Sequence, residues 1–575
     1  MSESTVGREP IIIVQIDQPL CTREYGTAPC TAGIGTTGTT ECFNTRKTCQ
    51  DPDNYDQTSS VQTLSFSTPR SNLPDDTYLI PSLDKVTTSP TIINIGATGR
   101  DYKPLGVRAS CTITFNDHPH SDRLVDPYRT NRSYDPLTKS SFWVKWLARN
   151  PYYKNSEIRI IEGYTDQSIA AMQTKTYILD SLSIDRNGKV TLKAKDILGL
   201  ADDKQAQCPA VSEGTLIAGV TNSDTTLRVT GAVAADYPAN NYVRLGDEVI
   251  YYTGVSTISG TEINLTGCTR GQYNTTAEAH DADERVQLCT YYNAQNVVDI
   301  VTDLLTTYAG ISSSYIPTAE WTAEQTAWLG AYDLTTLITE PTGVTSLLGE
   351  LCEQCCIYIW WDEKQQEIKL KGIHTPTDTP TDLDETKNII ADSLYMKSEP
   401  KERASQVWVM YGQKDPTKKL DDINNYVNIY VNADLNSESD NQYGEQAIRK
   451  VYARWLTNNA QVVVSASRIV EQFKDIPKYV YFDMDAKDRA VWSGDIVTVT
   501  SSVNVDFTGE QETLTCQILS AEEIESGHKV RYKARIYAFY GTPAYYMDAT
   551  GTTGDAYYSD ENGLLLDNSN GYTYQ

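Results

Sequence analysis

The sequence predicts a mainly β, multidomain protein, and three observations lead there. First, 575 residues exceed what one hydrophobic core holds, since domains usually take roughly 100 to 200 residues each. Second, short runs rich in β-branched and aromatic residues, separated by turn residues, recur along most of the chain. Third, helical spacing concentrates in the middle, while a Gly- and Thr-rich stretch near the start carries four cysteines and almost nothing apolar to pack around them. These divide the chain into a Cys-rich metal-binding loop segment (1–60), a β-domain (61–208), a small inserted β-module (209–288), an α+β domain (289–395), a second β-domain (396–547) and an extended C-terminal arm (548–575).

The elements follow in order. IIIVQI, TYLIPSL, RASCTITF, EIRIIEGY, KTYILDSLSID and KVTLKAKD read as strands, with RNG at 186–188 as a hairpin turn. FWVKWLARNPYY, residues 142–153, is a helix halted before Pro151, because the residue preceding proline is pushed out of the helical region. Between Cys208 and Cys289, TLRVTG, NYVRLGDEVIYYTG and GTEINLTG form hairpin strands and TRGQYNTTAEAH a long loop. The ends of this unit fall close together, as in an insertion. NAQNVVDIVTDLLTTYAG and TGVTSLLGELCEQC carry helical spacing, and IYIWWDEKQQEIKLKGI is a hairpin turning at DEKQQ. From about residue 396 strands return in SQVWVMYG, NYVNIYVNA, YVYFDMD, SGDIVTVTS, TLTCQILSAEEI and HKVRYKARIYAFYG. KVYARWLTNNAQVVVSASRIVEQF supplies a helix, and a barrel or sandwich of five to seven strands fits. The polar, Gly-, Asn- and Tyr-rich end reads as an arm.

Charge narrows the function. Lys plus Arg number 49 against 76 Asp plus Glu, a net charge of -27, which argues against a nucleic-acid-gripping surface and against an anionic membrane face. With 38 Tyr, 9 Trp and 39% hydrophobic residues the chain has material for cores, so acidity here does not mean disorder. No run approaches the roughly 18 apolar residues of a spanning helix, and MSESTVGREP lacks a secretory pattern, so a soluble chain made in the cytosol is expected.

Thiols stay reduced in that compartment, where clustered cysteines bind metal more often than they pair. Cys111, Cys208, Cys268, Cys289, Cys352, Cys355, Cys356 and Cys516 read as buried free thiols. Cys21, Cys30, Cys42 and Cys49 do not, because no core stripe surrounds them and Gly33, Gly35 and Gly38 supply backbone that wraps closely around something. Their intervals of nine, twelve and seven residues lack the short knuckles of structural zinc sites. Four thiolates on a flexible loop with Gly and Thr N–H donors suit a [4Fe–4S] cluster, with zinc and two late-forming disulfides as alternatives.

LGVRASCTITFNDHPHSDRLVDPY, FWVKWLARNPYY, VTLKAKDILGLADDKQAQCP, CTRGQYNTTAEAHDADERVQLC and ITEPTGVTSLLGELCEQCCIYIWWDEKQQEIKL resemble the baseplate or tail-tip hub proteins of long-tailed, non-contractile (siphovirus-type) bacteriophages, over roughly residues 60–375. The Cys-x8-Cys and Cys-x6-Cys spacings are similar to those of phage and gene-transfer-agent tail-tip proteins that carry an iron–sulfur cluster. In the best-known such system the cluster domain ends a shorter, separate protein, whereas here it precedes the hub blocks. The resemblance implies a virion structural protein at the tail tip, synthesised and assembled in the bacterial host cytoplasm. It implies a ring, usually a homotrimer, with two β-barrel hub domains (61–208 and 396–547) that continue or close the tail tube, connect it to the receptor-binding apparatus and let DNA pass during ejection. Implied partners are a distal tail protein, central fibre or tail fibre proteins, the tape measure protein and phage DNA passing without sequence-specific binding. It places Cys21, Cys30, Cys42 and Cys49 as the [4Fe–4S] ligands.

Two other function classes remain open. Asp117, His118, His120 and Asp122 in NDHPHSDR are candidate metal ligands of a tail-associated cell-wall hydrolase. Against this, the chain has five His, no HExxH and no Gly-x-Ser-x-Gly, so no enzyme is expected and NDHPHSDR reads as a proline-stiffened turn. A receptor- or glycan-binding adhesin fits only the inserted β-module.

Overall fold

The computed structural model describes residues 9–33, 42–58, 60–95, 105–202, 204–374, 376–485, 488, 490–525, 528–537, 545–546 and 572–573. The expected arm at 548–575 therefore lies outside the described residues except at 572–573.

The first large sheet takes strands from both sides of the Cys-rich segment. β1 (Pro10–Pro19), β2 (Val61–Ser67), β3 (Leu79–Ile80), β4 (Leu83–Ser89), β5 (Ser110–Asn116), β6 (Glu157–Tyr164), β7 (Gln173–Ile184) and β8 (Lys189–Lys195) lie in the order β3-β2-β1-β6-β7-β8-β5-β4. β1 is buried on both faces, which is why IIIV runs unbroken: Ile11 and Ile13 pack with Leu79 and Ile161, while Val14 and Ile16 face the main core. Residues 20–60 are thus the connection between two antiparallel neighbours, and the Pro19–Val61 pairing forms its neck. Helix α1 (Phe142–Arg149) packs into the core of this sheet, with the Trp143 ring 5.1 Å from Phe66 and 4.6 Å from Phe115.

The expected barrels are not closed, a correction to the reading above. Among the described residues both large sheets are open ladders whose two edge strands follow each other in the chain. In the first, only Pro81 and Ser82 separate edges β3 and β4, so the sheet curls without a ladder joining them. Pro81 has no N–H to donate. Ser82 is occupied elsewhere, its hydroxyl accepting from the Trp143 indole at 3.1 Å and its carbonyl from the Asn116 N–H at 2.8 Å. In the last sheet the edges are Thr381–Asp384 and Tyr395–Ser398, flanking Ile496–Val505, Gln511–Glu525, Lys529–Ile536 and Lys478–Asp485. There Asp384 accepts the Thr386 N–H at 2.7 Å and turns the chain away from the ladder.

Between Thr215 and Leu288 two four-stranded sheets enclose a separate core of Leu216, Leu227, Val243, Ile250, Ile263 and Leu265. The two ends of this unit stand side by side, the Gln287 amide donating to the Ala210 carbonyl at 2.8 Å and the Leu288 N–H to the Ser212 hydroxyl at 2.9 Å. The middle region combines helices such as Val344–Gln354 with the hairpin Ile357–Asp362 and Glu367–Gly372, burying Trp321, Trp361 and Trp455. Only part of KVYARWLTNNAQVVVSASRIVEQF is helical. Ile448–Ala453 is a strand parallel to Gln406–Gln413, and the helix Asn459–Phe473 starts where Asn458 caps the Ala460 N–H. Among the described residues no helix is long and apolar enough to cross a membrane.

Candidate metal centre

The Cys-rich connection leaves β1 at Pro19, and its first sulfur follows at once, the Cys21 N–H donating to the Asn44 carbonyl at 2.7 Å. A tight turn brings Cys30 back, its N–H bonding the Thr27 carbonyl at 3.0 Å. A short 3-10 turn, Arg46–Thr48, ends at Cys49. Asp51 locks the two halves together: its carboxylate accepts from the Thr31 N–H at 2.7 Å and from the Asn54 amide at 3.0 Å, and these bonds hold its pKa below the usual carboxylate range. The Tyr25 hydroxyl adds a bond to the Gly33 carbonyl at 3.0 Å.

This folding brings all four predicted thiols, Cys21, Cys30, Cys42 and Cys49, to the wall of one cavity. Ala32, Asn44 and Tyr55 are among its other walls. Burial raises the Cys42 and Cys49 thiol pKa values, and the neighbouring sulfurs raise them further. Backbone N–H groups two residues on act in the opposite sense. Asn44 donates to the Cys42 sulfur at 3.3 Å, and Asp51 to the Cys49 sulfur. Such N–H···S bonds stabilise sulfur in its anionic, metal-binding form. Burial and the nearby sulfurs also push the Tyr55 phenol up to about 12.

Four thiolates are the donor type that a sulfur-ligated group takes. A single tetrahedral zinc needs Zn–S bonds of about 2.3 Å, which draws thiolates to about 3.8 Å from one another. Among the described residues no group of three or more His, Cys, Asp or Glu is arranged to hold a metal ion as it stands.

Contacts that the sequence did not reveal anchor the site to the first sheet. Phe43, beside Cys42, lies between the guanidinium groups of Arg132, 3.8 Å from its ring centre, and Arg149, 3.9 Å away. Arg132 also donates to the Cys42 carbonyl at 2.6 Å and to Asp126 at 2.9 Å, and Arg149 to Asp122 at 2.9 Å. The Tyr25 N–H donates to the Tyr128 hydroxyl at 2.9 Å. Cation stacking has no sequence period, so these partners carry no local signal.

Asp117, His118 and Asp122 of NDHPHSDR engage helix α1, and buried His120 leaves its Nε2 without a hydrogen-bond partner among the described residues. Asp117 accepts from the Trp143 N–H at 2.9 Å, in the first turn of the helix. Asp122, buried, binds Lys145 at 2.7 Å as well as Arg149. His120 accepts from the Asp122 N–H at 3.0 Å and, desolvated, has its pKa lowered to about 4; the His118 ring stacks on Phe142. The other eight cysteines are free and buried.

No protein-family model matches the chain, and no curated protein sequence does. Among solved structures, a tail protein from Neisseria meningitidis MC58 overlaps 79% of this chain and 98% of its own at 10% identity and a TM-score of 0.37. The 43 kDa tail protein of prophage MuSo2 from Shewanella oneidensis overlaps 79% and 97% at 9% identity and 0.34. A native gene transfer agent virion particle overlaps 59% of this chain and 91% of the matched chain at 10% and 0.27. Overlaps this loose do not fix a shared fold.

Proposed function

We propose that the chain is a non-catalytic structural component of a bacteriophage tail tip, of the baseplate-hub kind, in which Cys21, Cys30, Cys42 and Cys49 hold a [4Fe–4S] cluster. The observation that carries this reading is the placement of those four thiols around one cavity, with Cys-x8-Cys and Cys-x6-Cys spacings similar to those of the tail-tip proteins the sequence resembles. The cluster, when bound, supplies metal–thiolate bonds that tie distant parts of the loop together. The chain needs such a tie. Between Leu20 and Gln57 only Leu20 and Ala32 are buried apolar side chains among the described residues, too little to order the segment alone. Metal-binding free energy then becomes folding free energy. The engagement of Asp117 and Asp122 in holding helix α1 supports the non-catalytic part of the reading.

The reading places the chain with distal tail, fibre and tape measure proteins around a passage for DNA. Electron microscopy of intact particles labelled with an antibody to this chain tests it. Label at the tail end distal to the capsid is expected. Label elsewhere, or wall hydrolysis by the purified chain, would overturn it.

A further inference from the structure

Arg535, in the strand Lys529–Ile536 of the last sheet, is 4% exposed. Every other buried Lys or Arg among the described residues is compensated. Lys145 and Arg149 share Asp122, Lys175 holds Glu162 and Glu523, Lys369 pairs with Glu320 and Arg454 with Glu350. Arg403 has no carboxylate but donates to the main-chain carbonyls of Lys474, Glu445 and Ser437. Arg535 forms no ion pair among the described residues, and of its five N–H donors one is engaged, from Nη2 to the Gln472 carbonyl at 3.1 Å. The Phe473 ring centre lies 4.5 Å from its guanidinium carbon. A charge held in the interior without a partner is costly, and burial accordingly lowers the Arg535 pKa.

Two cavities meet at this residue. One takes walls from Ile93, Ile95, Glu402 and Lys533, the other from Tyr358, Gln472, Gln517 and Tyr537. Most polar groups there are spent on one another: the Tyr479 hydroxyl donates to Glu402, the Gln517 amide to the Tyr358 hydroxyl at 2.8 Å, and the Tyr537 hydroxyl to the His374 carbonyl. Gln472 is the exception, since its buried Oε1 has no partner and its amide can turn to present N–H groups to the cavity. We propose that Arg535 is the base of a binding site for a small oxyanion of the phosphate or carboxylate type, with Lys533 and the Gln472 amide beside it. The inference goes beyond the tail-tip reading and does not depend on it. A guanidinium offers parallel N–H bonds that match two oxygens of such an anion, and these bonds are strong because both partners are charged. A water molecule would occupy a donor and leave the charge uncompensated. A chain with 76 Asp and Glu sets none of the described ones against this cation, so the counter-charge comes from outside. The end of the helix Asn459–Phe473, the last sheet and the segment 92–95 converge here, the Ile93 N–H donating to the Leu519 carbonyl at 2.9 Å. An anion bound to Arg535 therefore ties these parts together.

Calorimetric titration of the full chain with inorganic phosphate at constant ionic strength, repeated with acetate, tests the proposal. Binding at one site is expected, with a melting midpoint that rises with the concentration of the bound anion. A response to phosphate assigns a phosphate-type ligand, and a response to acetate a carboxylate. Arg535→Gln is expected to weaken binding at least about tenfold. Arg535→Lys, which keeps the charge and loses the planar fork, is expected to stay folded and to bind more weakly than the parent. Arg531→Gln removes an exposed cation from the same face of the same strand and is expected to bind as the parent does. A parent chain that binds neither anion would overturn the proposal. So would an affinity that both Arg535 variants leave unchanged, or one that Arg531→Gln lowers as much as they do.

Discussion

Lys175 places its ammonium 2.7 Å from a carboxylate oxygen of Glu162, and the same nitrogen bonds Glu523 from the last sheet. Both sheets therefore share one buried cation, and nearby the Trp361 indole donates to the Thr176 carbonyl at 3.2 Å. Lys175→Met strands two buried carboxylates across this seam. A loss of about 3–5 kcal/mol in denaturant unfolding is expected.

The pH dependence of the seam follows from Glu162. Burial and the neighbouring Glu523 raise its pKa to about 8, so the folded state binds this proton more tightly than the unfolded chain does. Its contribution is full below the ordinary glutamate range and is lost as pH rises toward about 8. Glu523, held low chiefly by the Lys175 charge against its own burial, acts oppositely and loses its contribution in strong acid. Glu162→Gln should match the parent in melting midpoint at about pH 4, below the ordinary glutamate range, and exceed it increasingly up to about pH 9; equal curves at both pH values would contradict this.

Phe43 between Arg132 and Arg149 predicts a local effect. Each cation–π contact is worth roughly 0.5–1 kcal/mol, more where desolvated. Phe43→Ala should speed amide exchange across residues 42–58 while leaving β1 to β8 protected. Loss of protection throughout the sheet would show that the clamp supports the whole unit.

Much of this architecture was legible in the residues, and what was hidden has a common cause. Alternation in RASCTITF corresponds to the alternating burial of Ser110–Asn116, and the thiol cluster stood out because nothing apolar surrounds it. The curl of the sheet was not legible, since its edges depend on β2 pairing parallel with β3 and on Ser82 meeting Trp143, contacts that span long stretches of chain. KVYAR was read into a helix because its neighbour NAQVVVSASRIVEQF is one, whereas a parallel partner strand overrides local preference there. Arg132 and Arg149 escaped as partners of the Cys-rich loop for the same reason: proximity without sequence period.

Trp143 is the centre of the first core and touches Phe66, Phe115, Phe142 and Trp146. Trp143→Ala is expected to cost about 3–5 kcal/mol in denaturant unfolding. Ser82→Ala, which removes the hydroxyl that accepts from the buried Trp143 indole and donates to the Asn116 carbonyl, should cost about 1–3 kcal/mol.

The unit between Ser212 and Gln287 has its own core and adjacent ends, so replacing 213–286 by a short Gly/Ser linker should leave the rest folded. Loop closure changes only slowly with length, and the melting midpoint of the remainder should move by a few degrees at most. Collapse of the Glu162–Lys175 seam in the deletion would contradict this independence.

The central claim is that Cys21, Cys30, Cys42 and Cys49 together bind one iron–sulfur cluster. The most direct measurement is the iron, acid-labile sulfide and zinc content of the anaerobically purified full chain, with its visible absorption spectrum. About four iron and four sulfide per chain are expected, with broad absorption that Cys42→Ser bleaches. Stoichiometric zinc without iron, or the four cysteines recovered as two disulfides, would contradict the account.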